Sequence, residues 1–272
     1  MNTTKLDLNT LHPFAGHPYK VQDDEEMDAL MESIRMNGIL TPLTVRPLEN
    51  GEYEVISGHR RLYAAQKAGL ETVPAIIMPM SRDEAVIAVV DSNLHREHLL
   101  PSEKAFAYKL KMEALNHQGV TSGQVGQKWS RDEVSDTDSG RQVQRYIRLT
   151  HLIPSILSMV DEGRIAFTPA VELSYLTEQE QQELAEEMAY ADATPSLSQA
   201  QRMREISRQG RLTTEAIYAI MSEEKANQKE RLKIPMERIR RFFPKSYTTA
   251  QIEEAVVKLC ERDYRRRTDR DR

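Results

Sequence analysis

The residues best placed to do chemistry are Gly58, His59, Arg60 and Arg61, which stand between a β-favouring run and an alanine-rich amphipathic run. Residues 53–57 (YEVIS) predict a strand that ends in small side chains. Gly58 removes the Cβ where the chain must turn, and Leu62, Ala65 and Ala68 mark a helix that Gly69 is placed to stop. Residues 73–78 predict the next strand. A glycine turn at a helix N-terminus, with two arginines in the first turn, suits a polyanion. Free backbone N–H groups and the positive end of the helix dipole point at the ligand, and guanidinium forks add bidentate contacts. A surface helix with solvated arginines is the alternative that the same residues allow. Asn93 and Arg96, three apart, share a face if the preceding helix persists and line a loop if it has ended.

His59, His95 and His98 cluster near these stretches and invite a metal reading. His95 and His98 lack the i, i+4 pairing of a helical zinc site, and no cysteine is near, so solvated or phosphate-facing histidines are expected. The single cysteine, Cys260, excludes an internal disulfide framework and a cysteine-rich metal site.

The positioning elements follow from periodicity. Met27, Leu30, Met31 and Ile34 form one apolar helical face, with Gly38 as the stop. A strand at 43–46 and the strand at 53–57 flank a turn holding Asn50-Gly51, too long for a two-residue hairpin loop. Ser81 and Glu84 fit a capping box that opens a helix to about residue 93. Beyond it, Phe106, Leu110 and Ala114 suggest one face of a helix ending near Gly119. A short helix at 125–129 precedes a connection at 130–138 that holds four acidic residues.

Ser139 is a candidate cap for a helix in which Val143 and Ile147 turn inward and Arg141, Gln142, Gln144, Arg145 and Arg148 turn outward. Arg and Gln are the side chains that pair bidentately with guanine and adenine edges, and the two short helices resemble a helix-turn-helix. This helix carries three arginines and no acid, a local positive strip in a chain of net charge −5. Further helices are expected at 154–161, 169–176 and from Thr177, with Glu180 completing a capping box. Residues 171–192 hold seven acidic residues and no basic one, so that face should point away from DNA. Downstream, apolar stripes at Ala200, Met203 and Ile206, at Ala216, Ile217, Ile220 and Met221, and at 252–259 predict more helices. The arginine-rich residues 262–272 suit non-specific DNA contact or a solvated end.

A length of 272 residues allows two or three domains. Modest hydrophobic content (39%) with high charged content (29%) implies a helical, well-solvated build. The beginning of the chain shows no apolar signal region and no run approaches membrane-spanning length, so a cytoplasmic protein without a membrane association is expected.

Three stretches resemble, in order, the sequence boxes of the ParB family of DNA-partition proteins. His17-Pro18-Tyr19, the helix at 27–34 and GILTPLTVRP at 38–47 resemble the first. The turn at 58–61 resembles the second, usually Gly-Glu-Arg-Arg before an alanine-rich helix. SNLHREHLLPSEKAFAY at 92–108 resembles the third and the helix after it. The likeness covers roughly residues 10–190. It implies an α+β chain: a small mixed-sheet ParB-like domain at 1–98, an all-helical helix-turn-helix domain at 99–192, and a helical C-terminal region at 193–272 that dimerises. It further implies site-specific binding of double-stranded DNA, CTP with Mg²⁺ in the N-terminal domain, at most slow CTP hydrolysis, a nucleoid- or plasmid-associated location and a ParA-type ATPase partner. On the family's pattern Gly58, His59, Arg60 and Arg61 cradle phosphates, Gly38 and Pro42 lie beside the nucleotide, Asn93 assists the metal and Arg96 supports the pocket. This chain departs from the pattern in having His59 for the usual glutamate and Ser92-Asn93 for the usual Glu-Asn. Fewer carboxylates leave a metal and an attacking water less well held, so CTP binding without brisk turnover is expected. The same fold also admits a DNA-binding regulator without nucleotide switching, or a ParB-like nuclease or kinase. The N-terminal fold also resembles that of sulfiredoxins, whose chemistry needs a cysteine where Gly58 stands.

Overall fold

The computed structural model describes residues 3–19, 23–94, 96, 99–121, 134–135, 137–223, 236–244 and 246–268. They form two compact units, residues 1–223 and 224–272.

The first part of the larger unit is a five-stranded mixed sheet of order β1-β5-β3-β4-β2. Its strands are β1 (Thr4–Asp7), β2 (Leu11–Pro13), β3 (Leu43–Pro47), β4 (Tyr53–Ser57) and β5 (Thr72–Ile77). β1 runs antiparallel to β5 and β3 antiparallel to β4, while β3–β5 and β2–β4 are parallel. β1 and β2 have no counterpart in the sequence expectations, since each is too short to show a period. Three helices accompany the sheet: α1 (Glu25–Asn37), α2 (His59–Ala68) and α3 (Arg82–Leu94). Alternation along β4 divides the core. Val55 packs with Leu43, Leu62, Ala65 and Val73 on the α2 side, whereas Ile56 packs with Val86, Val89 and Val90 of α3. The expected signals for α1 and α3 are present. Gly38 ends α1 at φ +68°, and Ser81 and Glu84 exchange the two bonds of a capping box.

Glu54 lies on the α3 side of β4 with a side chain only 5% exposed. Its carboxylate accepts from Arg46 Nε (2.6 Å), Arg82 Nη1 (3.0 Å) and the Ala15 amide (2.9 Å), while Arg82 Nη2 donates to the Ala15 carbonyl. This cluster pins the segment after β2 to the sheet, and with it His17 and Tyr19.

Helix α4 (Pro101–Thr121) joins the sheet part to the helical part. Ala107 and Ala114 pack on α3; Tyr108 and Leu115 pack with Val143 of α5 (Gly140–Leu149); Ala105 joins Leu149 and Ile156. The expected face of Phe106, Leu110 and Ala114 is therefore corrected at Phe106, which is exposed, because α4 is buried on its other sides. Tyr108 and Lys104 both reach the Asp138 carboxylate at 2.6 Å, fixing the entry to α5. The expected helix at 125–129 and most of the connection to α5 lie outside the described residues.

Four helices follow: α6 (Pro154–Asp161), α7 (Phe167–Leu173), α8 (Glu178–Ala191) with its Thr177–Glu180 capping box, and α9 (Leu197–Arg208). α7 begins two residues before the expected Pro169, which is tolerated within the first turn. Helix α10 (Thr214–Met221) closes the larger unit. Ala200, Met203, Ile217 and Ile220 share one cluster with Leu149, Ile156 and Leu184, so α9 and α10 continue the core of the residues before 192. The smaller unit holds α11 (Met236–Arg240) and α12 (Thr249–Thr268), where Ile252 is buried and Val257 and Leu259 are exposed.

Replacing Glu54 with alanine strands the mostly buried Arg46 guanidinium and the Ala15 amide. Loss of a partner from such a buried pair costs about 3–5 kcal/mol, so Glu54→Ala should lower the urea midpoint markedly. A midpoint within error of the parent would show that the cluster does not anchor the segment.

Candidate phosphate-binding cavity and DNA-facing helix

β4 passes into α2 through Gly58, whose φ of +105° and ψ of 25° are left-handed. A Cβ there would stand 3.1 Å from Arg61 Nη2 and 3.2 Å from Leu43 Cγ, so the position is reserved for glycine on conformation and on space. No side chain caps this helix. The first intrahelical bond is Leu62 N–H to the Gly58 carbonyl at 2.9 Å, which leaves the amides of His59, Arg60 and Arg61 without intrahelical acceptors.

These residues open onto a cavity of about 210 Å³ lined by His17, Tyr19, Ser57, Gly58, His59, Arg60, Arg61, Ser92, Asn93 and Arg96. Among the described residues no carboxylate lines it. Asp91, beside Ser92 in sequence, is drawn to Lys111 of α4 at 2.5 Å. The second and third boxes, over thirty residues apart, thus share one pocket.

The side chains inside it hold positions that spacing did not foretell. Arg60 Nη2 is 3.2 Å from Asp24 and 3.3 Å from Glu26, at the N-terminus of α1. Arg61 Nη1 donates to the carbonyls of Thr41 and Pro42, the latter at 2.9 Å, and burial lowers its pKa. Both forks are engaged within the chain. Pro42 therefore braces Arg61 without lining the cavity, and Gly38 serves as the cap of α1. The His59 ring turns towards the sheet: Nε2 accepts from the Phe14 amide at 3.4 Å and the ring also bonds the Val55 backbone. Burial, then the adjacent His17, lowers the His59 pKa to about 3. Asn93 Nδ2 donates to the Val89 carbonyl (2.8 Å), and Arg96 Nη1 donates to Asn93 Oδ1 at 3.4 Å. His17, Tyr19, Ser57 and Ser92 were not among the expected site residues, although the His-Pro-Tyr of the first box was the signal for two of them.

Free helix amides, an arginine-rich rim and a lining without acid among the described residues fit a phosphate group. The fit to Mg²⁺ is poorer. Asn93 Oδ1, a neutral oxygen already facing a guanidinium, is the amide oxygen on offer, and among the described residues no cluster of acids, histidines or cysteines is arranged to hold a metal. His95 and His98 lie outside the described residues.

On the second candidate surface, Ser139 caps α5 by accepting from the Gln142 amide at 3.3 Å. Arg141 is exposed, and Gln142 and Gln144 are half-buried. Two of the arginines are not on the exposed face that the helical pattern predicts. Arg145 bonds Gln142 Oε1 (3.1 Å) and Thr168 Oγ1 (2.9 Å) and lies over the Phe167 ring. Arg148 bonds Ser174 and lies 4.0 Å from the Tyr175 ring centre. Aromatic side chains at both ends of α7 draw these guanidinium groups inwards. Arg141 leads the accessible strip, in the N-terminal half of the helix, where a recognition helix meets base edges.

Fold and cavity together define a small mixed-sheet α+β domain, with an arginine-rimmed cavity at the start of α2, continued by a helical one. Residues 1–94 match the model of the ParB N-terminal domain. It is 34% identical over 161 residues to the chromosome-partitioning protein Spo0J of Thermus thermophilus, covering 59% of this chain and 55% of the relative. It is 30% identical over 178 residues to a nucleoid occlusion protein of Listeria innocua, covering 65% and 59% respectively. The chain thus spans little more than half the length of these relatives. Among solved structures, a C-terminally truncated ParB from Caulobacter crescentus complexed with CTP-gamma-S is 25% identical, covers 70% of this chain and 99% of that one, and superposes with a TM-score of 0.33.

Gly58→Ala places a β-carbon at a left-handed position against Arg61 and Leu43. The expected cost is about 1–3 kcal/mol of stability, read by thermal unfolding. Wild-type stability in this variant would mean that the turn relaxes at no cost.

Proposed function

We propose that this chain is a site-specific DNA-binding protein of the partition type, in which a nucleoside triphosphate held in the N-terminal cavity regulates the DNA-bound state. The observation that carries the reading is the cavity, with no carboxylate among its described lining residues, where the uncapped start of α2 meets Arg60 and Arg96 inside a ParB N-terminal domain. The base is cytosine on the family resemblance, which makes CTP the ligand. The α2 amides and Arg96 are the available donors. Arg60 joins them by exchanging Asp24 and Glu26 for phosphate, and Arg61 keeps its place as a brace on Thr41 and Pro42. Any Mg²⁺ would depend on the phosphates for its charge, with Asn93 Oδ1 as an amide ligand after Arg96 withdraws. Since no acid among the described residues lines the pocket to orient water, hydrolysis is slow or absent. Pairing of two copies through the C-terminal region, and a ParA-type ATPase partner, follow from the resemblance. Among the described residues no helix is long and apolar enough to cross a membrane.

The engaged state of Arg60 and Arg61 favours a second reading, a DNA-binding regulator that has lost nucleotide switching. Calorimetry with CTP, ATP, GTP and UTP separates the two. The first reading expects CTP to bind selectively and Arg60→Ala to abolish that binding while DNA loading persists. Specific DNA binding with no affinity for any nucleotide would establish the second.

Sequencing of genomic fragments retained by the purified protein defines the DNA site for the next measurement. Arg141→Ala should weaken the specific complex by roughly 1–3 kcal/mol if the side chain is bidentate to a base. Arg145→Ala should act mainly on stability, by about 1 kcal/mol, through the lost Phe167 and Thr168 contacts. Anisotropy titrations in which Arg145→Ala, and not Arg141→Ala, changes sequence preference would reverse these assignments.

A further inference from the structure

The Nε2 of His17 is the one buried side-chain nitrogen or oxygen among the described residues that has no hydrogen-bond partner. Nδ1 of the same ring lies 2.7 Å from the Tyr19 carbonyl oxygen. A carbonyl only accepts, so Nδ1 carries the proton, and in the neutral ring Nε2 is a bare lone pair. His59, whose ring lies tilted at 45° to it with ring centres 3.8 Å apart, differs in kind. Its Nε2 already accepts from the Phe14 amide and the ring also bonds Val55, so a proton on that nitrogen would break a bond that the fold uses. On His17 a proton breaks nothing and creates a donor.

His17 lines the same cavity as Arg60, Arg96 and the start of α2. An ionised phosphate oxygen is an acceptor, and it repels a lone pair. For Nε2 to hold such an oxygen the ring must first be cationic. We infer that His17 is a ligand-contacting residue of this cavity and that phosphate binding there is coupled to uptake of one proton from solvent on His17 Nε2. The inference rests on the reading of the cavity as a nucleotide-phosphate site.

The groups that face His17 set the direction of the coupling. Burial lowers its pKa, and Arg96 lowers it further. The bond to the Tyr19 carbonyl and the charge of Glu103 on α4 act the other way. His59, Arg60 and Arg61 of α2 also line the pocket, while Asp91 of α3 is held by Lys111. The ring is therefore neutral at neutral pH before the anion arrives, and a phosphate beside it raises its pKa by stabilising the imidazolium. Affinity is then highest below the free-protein pKa, falls as pH rises between the free and bound values, and levels off above the bound value. Within that window the slope for one linked proton approaches about tenfold per pH unit.

The test is calorimetry of the full chain at neutral pH in buffers of different ionisation enthalpy, with CTP and, separately, inorganic tripolyphosphate. Wild type should take up more protons than His17→Gln, by a difference approaching one, and the variant should bind more weakly with a flatter pH profile. Nitrogen-15 NMR of histidine-labelled wild type provides a reading that needs no variant: His17 Nε2 should move from the unprotonated to the protonated range on addition of tripolyphosphate. CTP binding with equal proton counts in both proteins and an unmoved Nε2 signal overturns the inference and leaves the nucleotide reading intact. Proton-linked binding of tripolyphosphate without binding of CTP keeps the coupled anion site and removes the nucleotide. Binding of neither removes both.

Discussion

At Gly58 the chain leaves β4 in a left-handed conformation, and three amides pass before the first intrahelical bond of α2 closes. That local geometry aims donors at the space beside the sheet, and the rest of the N-terminal domain is arranged around it. β3 supplies Leu43 against the turn. The Thr41 and Pro42 carbonyls hold Arg61. The buried Glu54 cluster secures the segment that brings His17 and Tyr19 to the opposite wall. A side chain at position 58 would disturb all of these together, because the turn has neither the backbone freedom nor the room for one.

Charge is distributed with equal economy. The described lining holds cationic and neutral donors, while three acids near it are engaged: Asp24 caps α1, Asp91 pairs with Lys111, and Glu54 gathers two arginines under the sheet. An anion entering the pocket meets no carboxylate among the described lining residues, and a metal meets few hard oxygen ligands there. The histidine in place of the family's glutamate follows the same logic. His59 acts as a neutral strut between Phe14 and Val55, and it leaves no carboxylate where the resembled pattern has one.

In the helical part the governing element is α4, which touches three clusters in turn and, through Tyr108 and Lys104, fixes Asp138 at the entry to α5. The presented face of α5 is then narrowed by α7, whose flanking Phe167 and Tyr175 take up Arg145 and Arg148. Arginine serves here as often for stacking and bracing as for reaching outwards, since its planar, weakly hydrated head group is at home on an aromatic face.

The amino-acid order alone determined the strand–turn–helix at 53–68, the caps at Gly38, Ser81, Ser139 and Thr177, and the resemblance that joins three separated boxes. Each is a short-range device: a residue that permits a dihedral, an oxygen that reaches an amide two or three positions on, or a period that sorts apolar side chains to one face. The two edge strands β1 and β2 escaped notice because four and three residues carry no readable period, and their pairing partners lie far along the chain. Only the tertiary structure decided which ends of which side chains are free. Arg60, Arg61, Arg145 and Arg148 look alike as letters, yet each is captured by a group remote in sequence, and Phe106 falls outside because α4 is buried on its other flanks. His17 and His59 are likewise indistinguishable in sequence. One is satisfied at both ring nitrogens and the other is left with a lone pair, because a hydrogen bond depends on where the partner stands in space and not on the residue type that bears it.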